Sequence, residues 1–389
     1  MLATALAALL CLLPSTAAHG PKTPQEVAAF HARQQGAYHC APIVEAMTQA
    51  RKRSWAQKVL GVGVGGEAGE IADSNTYIDG YFEKHSEEVR QTKAAEEKEE
   101  AEKRKNGKQL MECYPETTAS SIKNSTCVLA PEVTPGPYYH TSGHPIRNNM
   151  AEWQLGLPFV MNVGVIDVET CKPVPNVLVD LWHANATGFY AGHNPKPKEV
   201  VAQPATSGIR RGLLPAFKRT DDTATWLRGA WPTDGNGVAQ FTSVFPGYYT
   251  GRATHVHLKV HPEWRTLPNG TFESRRLVHT GQFFVDDLLN EEIDKLQPYS
   301  ENPIRHLSGR GRTRNWEDSL HIFDEAHRGG YMPTFDIEPL GMVLSQGLVG
   351  FVTVGVNMSA NFESVWHPNM GTPDPVVVPK KEGPRSVEL

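Results

Sequence analysis

The sequence predicts a mainly β protein, with a β-sandwich catalytic core preceded by an N-terminal helical segment. From about residue 127 onward, short β-rich runs alternate with Pro, Gly and Asn, which is the pattern of an all-β sandwich. Before that point, apolar residues recur at helical spacing. The chain has 389 residues, 39% of them hydrophobic, which is enough to bury a sizeable core.

Residues 1–18 have the features of a secretory signal peptide. An apolar run precedes Pro14, and Thr16 and Ala18 occupy the small positions of a cleavage site. We therefore expect cleavage near Ala18 and secretion to the extracellular space. The chain also has N-glycosylation sequons at Asn124, Asn185, Asn269 and Asn357. Four sequons behind a signal peptide are typical of a secreted glycoprotein.

The cysteines are expected to form disulfides because the predicted compartment is oxidising. After removal of the signal peptide, the remaining cysteines are Cys40, Cys113, Cys127 and Cys171. Four cysteines allow three pairings, and the sequence alone does not choose among them. We favour Cys127–Cys171, which flank a predicted strand, and therefore Cys40–Cys113.

Residues 19–115 are predicted to be a helical segment followed by a charged linker. The capping box TPQE at 23–26 begins a helical pattern that continues through Val59, and 87–108 is a run of mixed charges. The sandwich is assigned to residues 116–365. Residues 366–389 are Pro-rich and charged, and are predicted to be disordered.

The charge and hydropathy of the chain argue against two classes of partner. A formal net charge of −5 and a pI near 6.4 give no electrostatic footprint for nucleic acid. Beyond the N-terminus, no apolar run reaches the roughly 18–20 residues of a membrane helix. We therefore expect neither a nucleic-acid partner nor a membrane partner.

The sandwich strands are predicted from runs bounded by turn residues. These runs cover 159–170, 177–184, 237–244, 254–261, 281–287 and 347–358. In the run THVHLKVH, alternation places His255, His257 and Lys259 on one face and an apolar row on the other. The two histidines lie about 7 Å apart along such a strand, close enough to bind one ion. A lone His-x-His is nevertheless more often a solvent-facing pair.

Tyrosines near this strand favour a metal site. Tyr248 and Tyr249 precede the histidines, Arg252 lies between, and further tyrosines lie at strand ends and turns upstream, at positions 138, 139 and 190. A phenolate is a hard, anionic oxygen donor, and tyrosinate suits ferric iron. Two histidines and two tyrosines together therefore predict a ferric centre.

Four segments resemble the intradiol ring-cleavage dioxygenases, the family of the catechol 1,2-, hydroxyquinol 1,2- and protocatechuate 3,4-dioxygenases. They are PEVTPGPYY (131–139), PVPNVLVDLWHANATGFYAG (173–192), WLRGAWPTDGNGVAQFTSVFPGYYTGRATHVHLKV (226–260) and TGQFFVDD (280–287). They come in the family's order, and the resemblance covers roughly residues 127–365. The signal peptide and the sequons resemble a secreted, fungal-type branch.

The resemblance implies four iron ligands. They are Tyr190, Tyr249, His255 and His257. Tyr248 is one step from the family's second tyrosine position, so the register of that ligand is open by one residue. Tyr138 and Tyr139 match a pocket-wall motif and are interpreted as packing or substrate-pocket residues.

The resemblance also implies a cofactor, a reaction and a partner. The cofactor is non-haem Fe(III), with O₂ as co-substrate, and the partner is a small catecholic substrate that is cleaved to a muconate-type diacid. Tyr249 would act as a general base, Arg252 would stabilise negative charge, and Gln282 would assist by hydrogen bonding. Bacterial members often dimerise through N-terminal helices, so a homodimer of this kind is open here.

Two alternatives remain at this stage. The first is a non-catalytic β-sandwich protein that binds phenolics or carbohydrates. The second is an extradiol enzyme with Fe(II) held by two histidines and one carboxylate. The second needs an acidic ligand in a matching motif, and the sequence offers none.

Overall fold

A computed structural model describes residues 39–56, 133, 135–141, 143–193, 219–249, 251–304, 312–328, 333–341 and 343–361. The strands among these residues are β1 (Pro158–Asp167), β2 (Leu178–His183), β3 (Arg228–Pro232), β4 (Val238–Val244), β5 (His255–His261), β6 (Glu263–Thr266), β7 (Phe272–Arg276), β8 (His279–Phe284), β9 (Asp336–Pro339) and β10 (Leu348–Val356). The helices are α1 (39–56), α2 (Asp287–Ile293) and α3 (Ile322–Arg328).

The strands form two four-stranded sheets and a separate hairpin. One sheet has the order β4-β1-β10-β9, the other has the order β3-β2-β5-β8, and β6 pairs with β7. β1 is parallel to β10, whereas the second sheet is antiparallel throughout. The predicted mainly β fold is confirmed.

One apolar cluster fills the space between the two sheets. It contains alternate residues of β1, such as Phe159 and Met161, together with Val256, Leu258 and Val260 of β5. The apolar face predicted for β5 is therefore buried in the sandwich core. The opposite face of β5 carries the histidines and points away from the first sheet.

The end of β8 differs from the prediction. The run 281–287 was expected to be one strand, but β8 ends at Phe284 and α2 begins at Asp287. The carboxylate of Asp286 accepts hydrogen bonds from the backbone N–H groups of Leu288 and Leu289, which caps the helix. In the sequence, a short strand followed directly by a helix N-cap is hard to distinguish from one longer strand.

Helix α1 covers the outer face of the first sheet. The guanidinium of Arg51 donates to Asn162 Oδ1 at 2.7 Å and to the carbonyl of Val352 at 3.2 Å. Lys52 Nζ lies 2.7 Å from Asp336 Oδ2 on β9. The expected helix start at 23–26 and the linker up to 115 lie outside the described residues.

The disulfide pairing that we favoured is wrong. Cys171 is bonded to Cys40 of α1, with 5.1 Å between their Cα atoms, and not to Cys127. The pairing Cys40–Cys113 is therefore also excluded. Because α1 packs beside the turn after β1, cysteines 131 residues apart come together; proximity along the chain was the wrong guide. Cys113 and Cys127 lie outside the described residues.

The predicted boundaries at residues 116 and 365 stay predictions, although the ten strands of the described residues all lie between them. In the part of the chain that the structure describes, no helix combines the length and the hydropathy needed to cross a membrane.

Candidate metal centre

The outward face of the second sheet carries the residues that could do chemistry. The strand register aligns Arg228, Trp182, His257 and Gln282 in one row across β3, β2, β5 and β8. His255 lies on the same face of β5 as His257. This face points away from the sandwich core, yet both histidines are only 2% exposed, because loops cover them. The histidine face of β5 is therefore an interior surface and not a solvent-facing one.

The loop after β2 brings Tyr190 over this face. Asn185 Oδ1 accepts hydrogen bonds from the backbone N–H groups of Thr187 at 3.1 Å and Phe189 at 3.0 Å, which closes a tight turn. Gly188 has a φ of 87°, a conformation that L side chains rarely adopt. The turn folds the chain back, so Tyr190 is buried beside β5.

Two glycines let the loop of Tyr190 touch the loop of Tyr249. The N–H of Gly247 donates to the carbonyl of Asn185 at 3.1 Å. A Cβ on Gly188 would lie 2.3 Å from the carbonyl oxygen of Tyr248, and one on Gly247 would lie 2.4 Å from that of Ala186. Only glycine permits this approach, and the approach brings the two tyrosines together.

The donor atoms of the four predicted ligands converge. His255 Nε2 and His257 Nε2 are 3.1 Å apart, and Tyr190 Oη lies 3.0 Å from His257 Nε2. Tyr249 Oη lies 3.4 Å from His255 Nε2. Tyr249 is the only one of the four that is half-buried; the other three are buried. The structure thus places all four donors in one cluster, with Tyr249 on its more open side.

His255 presents a lone pair to this cluster. His255 Nδ1 lies 2.7 Å from the carbonyl of Ala253, so Nδ1 carries the proton and Nε2 the lone pair. Burial, with Arg252 adding to it, holds the pKa of His255 well below its usual range. Burial and the neighbouring His255 do the same for the pKa of His257. Both imidazoles are therefore neutral and available as ligands at pH 7.

The tyrosines complete a set of donors that fits a cation. Burial and the neighbouring Tyr249 raise the pKa of Tyr190 well above its usual value. Burial also raises the pKa of Tyr249, while Arg252 opposes that shift. His255 Nε2 and His257 Nε2 lie 3.1 Å apart, and a cation bound between them and the tyrosines would favour ionised phenols. Two hard phenolate oxygens and two imidazoles suit ferric iron.

Arg252 and Gln282, predicted from the resemblance, lie beside the donor cluster. Arg252 Nη1 donates to Tyr249 Oη at 2.9 Å, and Nη2 donates to Gln282 Oε1. Both side chains are buried, and Gln282 lies opposite His257 on β8. The positive charge of the Arg252 guanidinium favours negative charge on the Tyr249 oxygen and on any substrate oxygen that reaches it.

The pair of tyrosines at 138 and 139 is divided between two environments. Tyr138 stacks on Tyr190, with ring centroids 4.4 Å apart. The hydroxyl of Tyr139 donates instead to Asp180 Oδ2 at 3.0 Å, away from the four donors, and Asp180 also bonds to His144. Tyr138 therefore forms a wall of the site, and Tyr139 belongs to a network behind it.

Sequence reasoning missed two residues that support the site. Trp182 stacks on the imidazole of His257 with centroids 4.7 Å apart and planes within 6°. Alternation along β2 contained this information, because Trp182 faces the same side as the register partner His257. Asp318 forms a buried ion pair with Arg252, and nothing in the sequence connects residues so far apart.

Within the described part of the chain, a carboxylate does not join the two histidines. Among the residues with described coordinates, no group of three or more His, Cys, Asp or Glu side chains is arranged to hold a metal ion. A donor set of two histidines and two tyrosines is not of that type, so this finding does not bear on it.

Comparison with known proteins relates this chain to dioxygenases. Residues 134–268, which include all four predicted ligands and Arg252, match the family model described as Dioxygenase. No curated protein sequence matches the chain. The family match ends before β8, so Gln282 lies outside it.

Solved structures with similar folds carry intradiol names. An intradiol ring-cleavage dioxygenase from Tetranychus urticae is 27% identical and covers 60% of this chain and 97% of its own, with a TM-score of 0.45. The dioxygenase domain of a dioxygenase carbohydrate-binding protein fusion from Streptomyces sp. SirexAA-E is 21% identical over 58% of this chain and 97% of its own, with a TM-score of 0.34. Catechol 1,2-dioxygenase from Pseudomonas arvilla C-1 is 17% identical over 58% of this chain and 62% of its own, with a TM-score of 0.31. Because these TM-scores are low, the relationship rests on the matched residues 134–268.

Proposed function

We propose that this protein, whose residues 134–268 match the dioxygenase family model, is an Fe(III)-dependent intradiol enzyme that cleaves catechol-type rings with O₂ to muconate-type diacids. One observation carries the proposal. The donor atoms of Tyr190, Tyr249, His255 and His257 converge within a buried cluster, with Arg252 in hydrogen-bond contact with Tyr249.

Each ligand side chain would hold the metal through the atom that faces the cluster. These atoms are Nε2 of the two histidines and Oη of the two tyrosines. Ferric iron, when bound, supplies a Lewis-acidic centre that accepts both oxygens of a catechol and activates the ring toward O₂. Trp182 fixes the plane of the His257 ring, and Ala253 fixes the tautomer of His255. The ligand set is therefore held in place before substrate arrives.

Tyr249 is the residue best placed to move a proton. It is the least buried of the four donors, so it lies where a substrate would enter. As a phenolate it can accept a proton from a catechol hydroxyl, which makes it a general base. Arg252 Nη1 then keeps its hydrogen bond to the Tyr249 oxygen or donates to substrate oxygen, and in both cases it stabilises negative charge.

Product analysis tests this function. The purified chain, loaded with ferric iron, is incubated with catechol, hydroxyquinol or protocatechuate, and O₂ uptake and products are measured. Cleavage between the hydroxyls gives a diacid, which is the result we expect. A yellow semialdehyde would indicate extradiol cleavage. Catechol binding without O₂ uptake would instead support a non-catalytic phenolic-binding protein.

We also propose that the protein is secreted. The apolar segment 1–18, the sequons and the Cys40–Cys171 disulfide support this location. Of the sequons, Asn269 is exposed, whereas Asn185 is half-buried and its side-chain amide nitrogen donates to Gln154 Oε1. Expression in a eukaryotic host, followed by peptide mapping of the medium, should find glycan on Asn269 and none on Asn185.

Dimerisation through N-terminal helices stays a proposal. Of the charged residues of α1 that the structure describes, Arg51 and Lys52 face the helix's own sheet, whereas Glu45 and Arg53 are exposed. Light scattering of the purified chain, with and without residues 19–38, would give its oligomeric state.

A further inference from the structure

We propose that Asp318 is a positioning residue that aims the Arg252 guanidinium at Tyr249 and Gln282. The inference rests on the proposed function for its consequence in turnover. Asp318 lies between α2 and α3, outside the residues that match the dioxygenase family model.

Each nitrogen of the Arg252 guanidinium has its own partner. Nε donates to both oxygens of Asp318, at 3.1 Å and 3.0 Å. Nη1 donates to Tyr249 Oη at 2.9 Å, and Nη2 donates to Gln282 Oε1. Because the guanidinium is planar and rigid, fixing Nε also fixes the directions of both Nη groups. The bond to Asp318 thus determines where the other two donors point.

Asp318 is itself held firmly. Its Oδ2 accepts from the N–H of Ala253 at 2.9 Å, and its Oδ1 accepts from the N–H of Leu320 at 3.0 Å. The neighbouring Ser319 N–H donates to the carbonyl of Gly251 at 2.9 Å. The side chain is fully buried, so water does not compete for its oxygens. The segment that begins at Asp318 is therefore hydrogen-bonded both to the backbone of the loop that carries Arg252 and to the Arg252 side chain.

An apolar cluster anchors the segment to the sandwich. Ile322 and Phe323 of α3 pack with Ala253 and with Phe284 of β8. The rings of Phe284 and Phe323 meet edge to face, with centroids 5.5 Å apart. The carboxylate of Asp318 is consequently fixed relative to β8, on which Gln282 also lies.

The ion pair of Asp318 and Arg252 also balances the local charge. A buried guanidinium without a counterion is costly, and the carboxylate of Asp318 supplies the opposite charge at contact distance. Arg252 can then donate to Tyr249 and to substrate without an added desolvation cost. Burial lowers the pKa of Arg252, but Asp318 more than offsets this effect and raises it.

A double-mutant cycle tests the proposal. Asp318→Asn should lower kcat by about 10- to 100-fold, less than the roughly 10²- to 10³-fold that follows outright loss of one aligned donor, with a smaller change in KM. In an Arg252→Ala background the same substitution should lower kcat no further, because Asp318 acts through Arg252. Equal losses in both backgrounds, or an unchanged kcat, would overturn the proposal. Asp336→Asn is the matched control. It removes the carboxylate that pairs with Lys52, and Asp336 lies in the other sheet, on β9.

A second variant covers a failure of Asp318→Asn to fold. Asp318→Glu keeps the charge but moves the carboxylate by one methylene, so we expect a folded protein whose kcat is about tenfold lower. A wild-type kcat for Asp318→Glu would show that charge alone matters and would contradict positioning.

An iron-free readout separates this inference from the proposed function. In the ¹⁵N–¹H spectrum of the apo protein, the Nε–H signal of Arg252, assigned with Arg252→Lys, should exchange slowly with solvent. It should be protected in wild type and Asp336→Asn and lose protection in Asp318→Asn. Protection that survives in Asp318→Asn would overturn the positioning role. If the wild type shows the expected signal but no turnover, the proposed function fails and the positioning role stands.

Discussion

Tyr248 and Tyr249 are adjacent in the chain but lie in different environments. The ring of Tyr248 packs under the Arg312 guanidinium, 4.6 Å from its centroid, and its carbonyl accepts from Asn302 at 2.7 Å. The hydroxyl of Tyr249 lies instead beside His255 and Arg252. The family resemblance implied Tyr249 as the candidate ligand but left its register open by one residue. The backbone path of the loop, which sequence does not give, places only Tyr249 at the donor cluster.

Tyr249→Phe should separate metal binding from turnover. Three donors remain, so we expect some ferric iron to be retained, whereas kcat should fall by about 10²- to 10⁴-fold because the general base is lost. The visible band should also shift. Tyr248→Phe is the control and should keep nearly wild-type kcat; the opposite pattern would mean that Tyr248 is the ligand.

Tyr190→Phe should weaken iron binding more than Tyr249→Phe does. Tyr190 is fully enclosed, so no solvent oxygen can easily replace its donor. Iron content by metal analysis after gel filtration is the measurement. Tyr139→Phe is the matched control, because its hydroxyl serves Asp180 and not the cluster. Loss of iron from Tyr139→Phe with retention in Tyr190→Phe would move the first ligand to the 138–139 segment.

At the scale of elements, loops complete the site that the strands begin. The period of two along β5 predicted which face carries the histidines, and the capped turn after β2 follows from its Asn and Gly. We call the contact between the Tyr190 loop and the Tyr249 loop, made at Gly188 and Gly247, the clasp. It joins two loops that are distant in sequence, and the Asp318–Arg252 pair does the same. Such contacts depend on how whole elements pack. A single sequence therefore predicts which residues are candidates for the site, but not which of them come into contact.

Gly188→Ala should open the clasp between the two tyrosine loops. The new Cβ meets the Tyr248 carbonyl, and we expect a loss of about 1–3 kcal/mol in the free energy of unfolding together with weaker iron binding. Gly270→Ala is the control, because Gly270 has a similar φ of 79° but nothing within 4 Å of a Cβ. Equal iron affinity in the two variants would show that the clasp does not position Tyr249.

Removing the disulfide should destabilise the protein without abolishing its chemistry. Cys40→Ser opens a large covalent loop that anchors α1, so we expect a loss of about 2–4 kcal/mol in the free energy of unfolding. Because α1 covers the sheet that does not carry the donor cluster, the kcat of the folded variant should be close to wild type. Peptide mapping without reduction should recover Cys40 linked to Cys171; a Cys127–Cys171 peptide would contradict the structure.

For the whole molecule, the sandwich separates stability from chemistry. The hydrophobic cluster between the sheets is apolar, while the four candidate ligands lie at the outward face of the second sheet under its loops. Alternating strands predicted the sandwich, but a solvent-facing outer face was the ordinary expectation for His-x-His. It is buried because segments between strands, such as the loop of Tyr190, fold back over it, and strand periodicity does not report on such coverage.

The iron-free protein should lose stability as pH falls below neutral. His183, His255 and His257 have folded-state pKa values below the ordinary 6.5, with that of His183 at about 4, because burial disfavours their charged forms. Below pH 6.5 the unfolded chain gains protons that the folded chain does not, which costs about 1.4 kcal/mol per pH unit for each histidine. Asp287, whose pKa burial raises to about 7, acts in the opposite direction. Urea unfolding between pH 7 and pH 5 should show a net loss of a few kcal/mol; a flat profile would contradict neutral buried histidines.

The most direct test of the central claim is the visible absorption of the purified chain after ferric reconstitution. If Tyr190, Tyr249, His255 and His257 hold Fe(III), the protein should bind one iron per chain and turn red to burgundy through tyrosinate-to-iron charge transfer. A colourless protein that retains no iron after the same treatment would contradict the account.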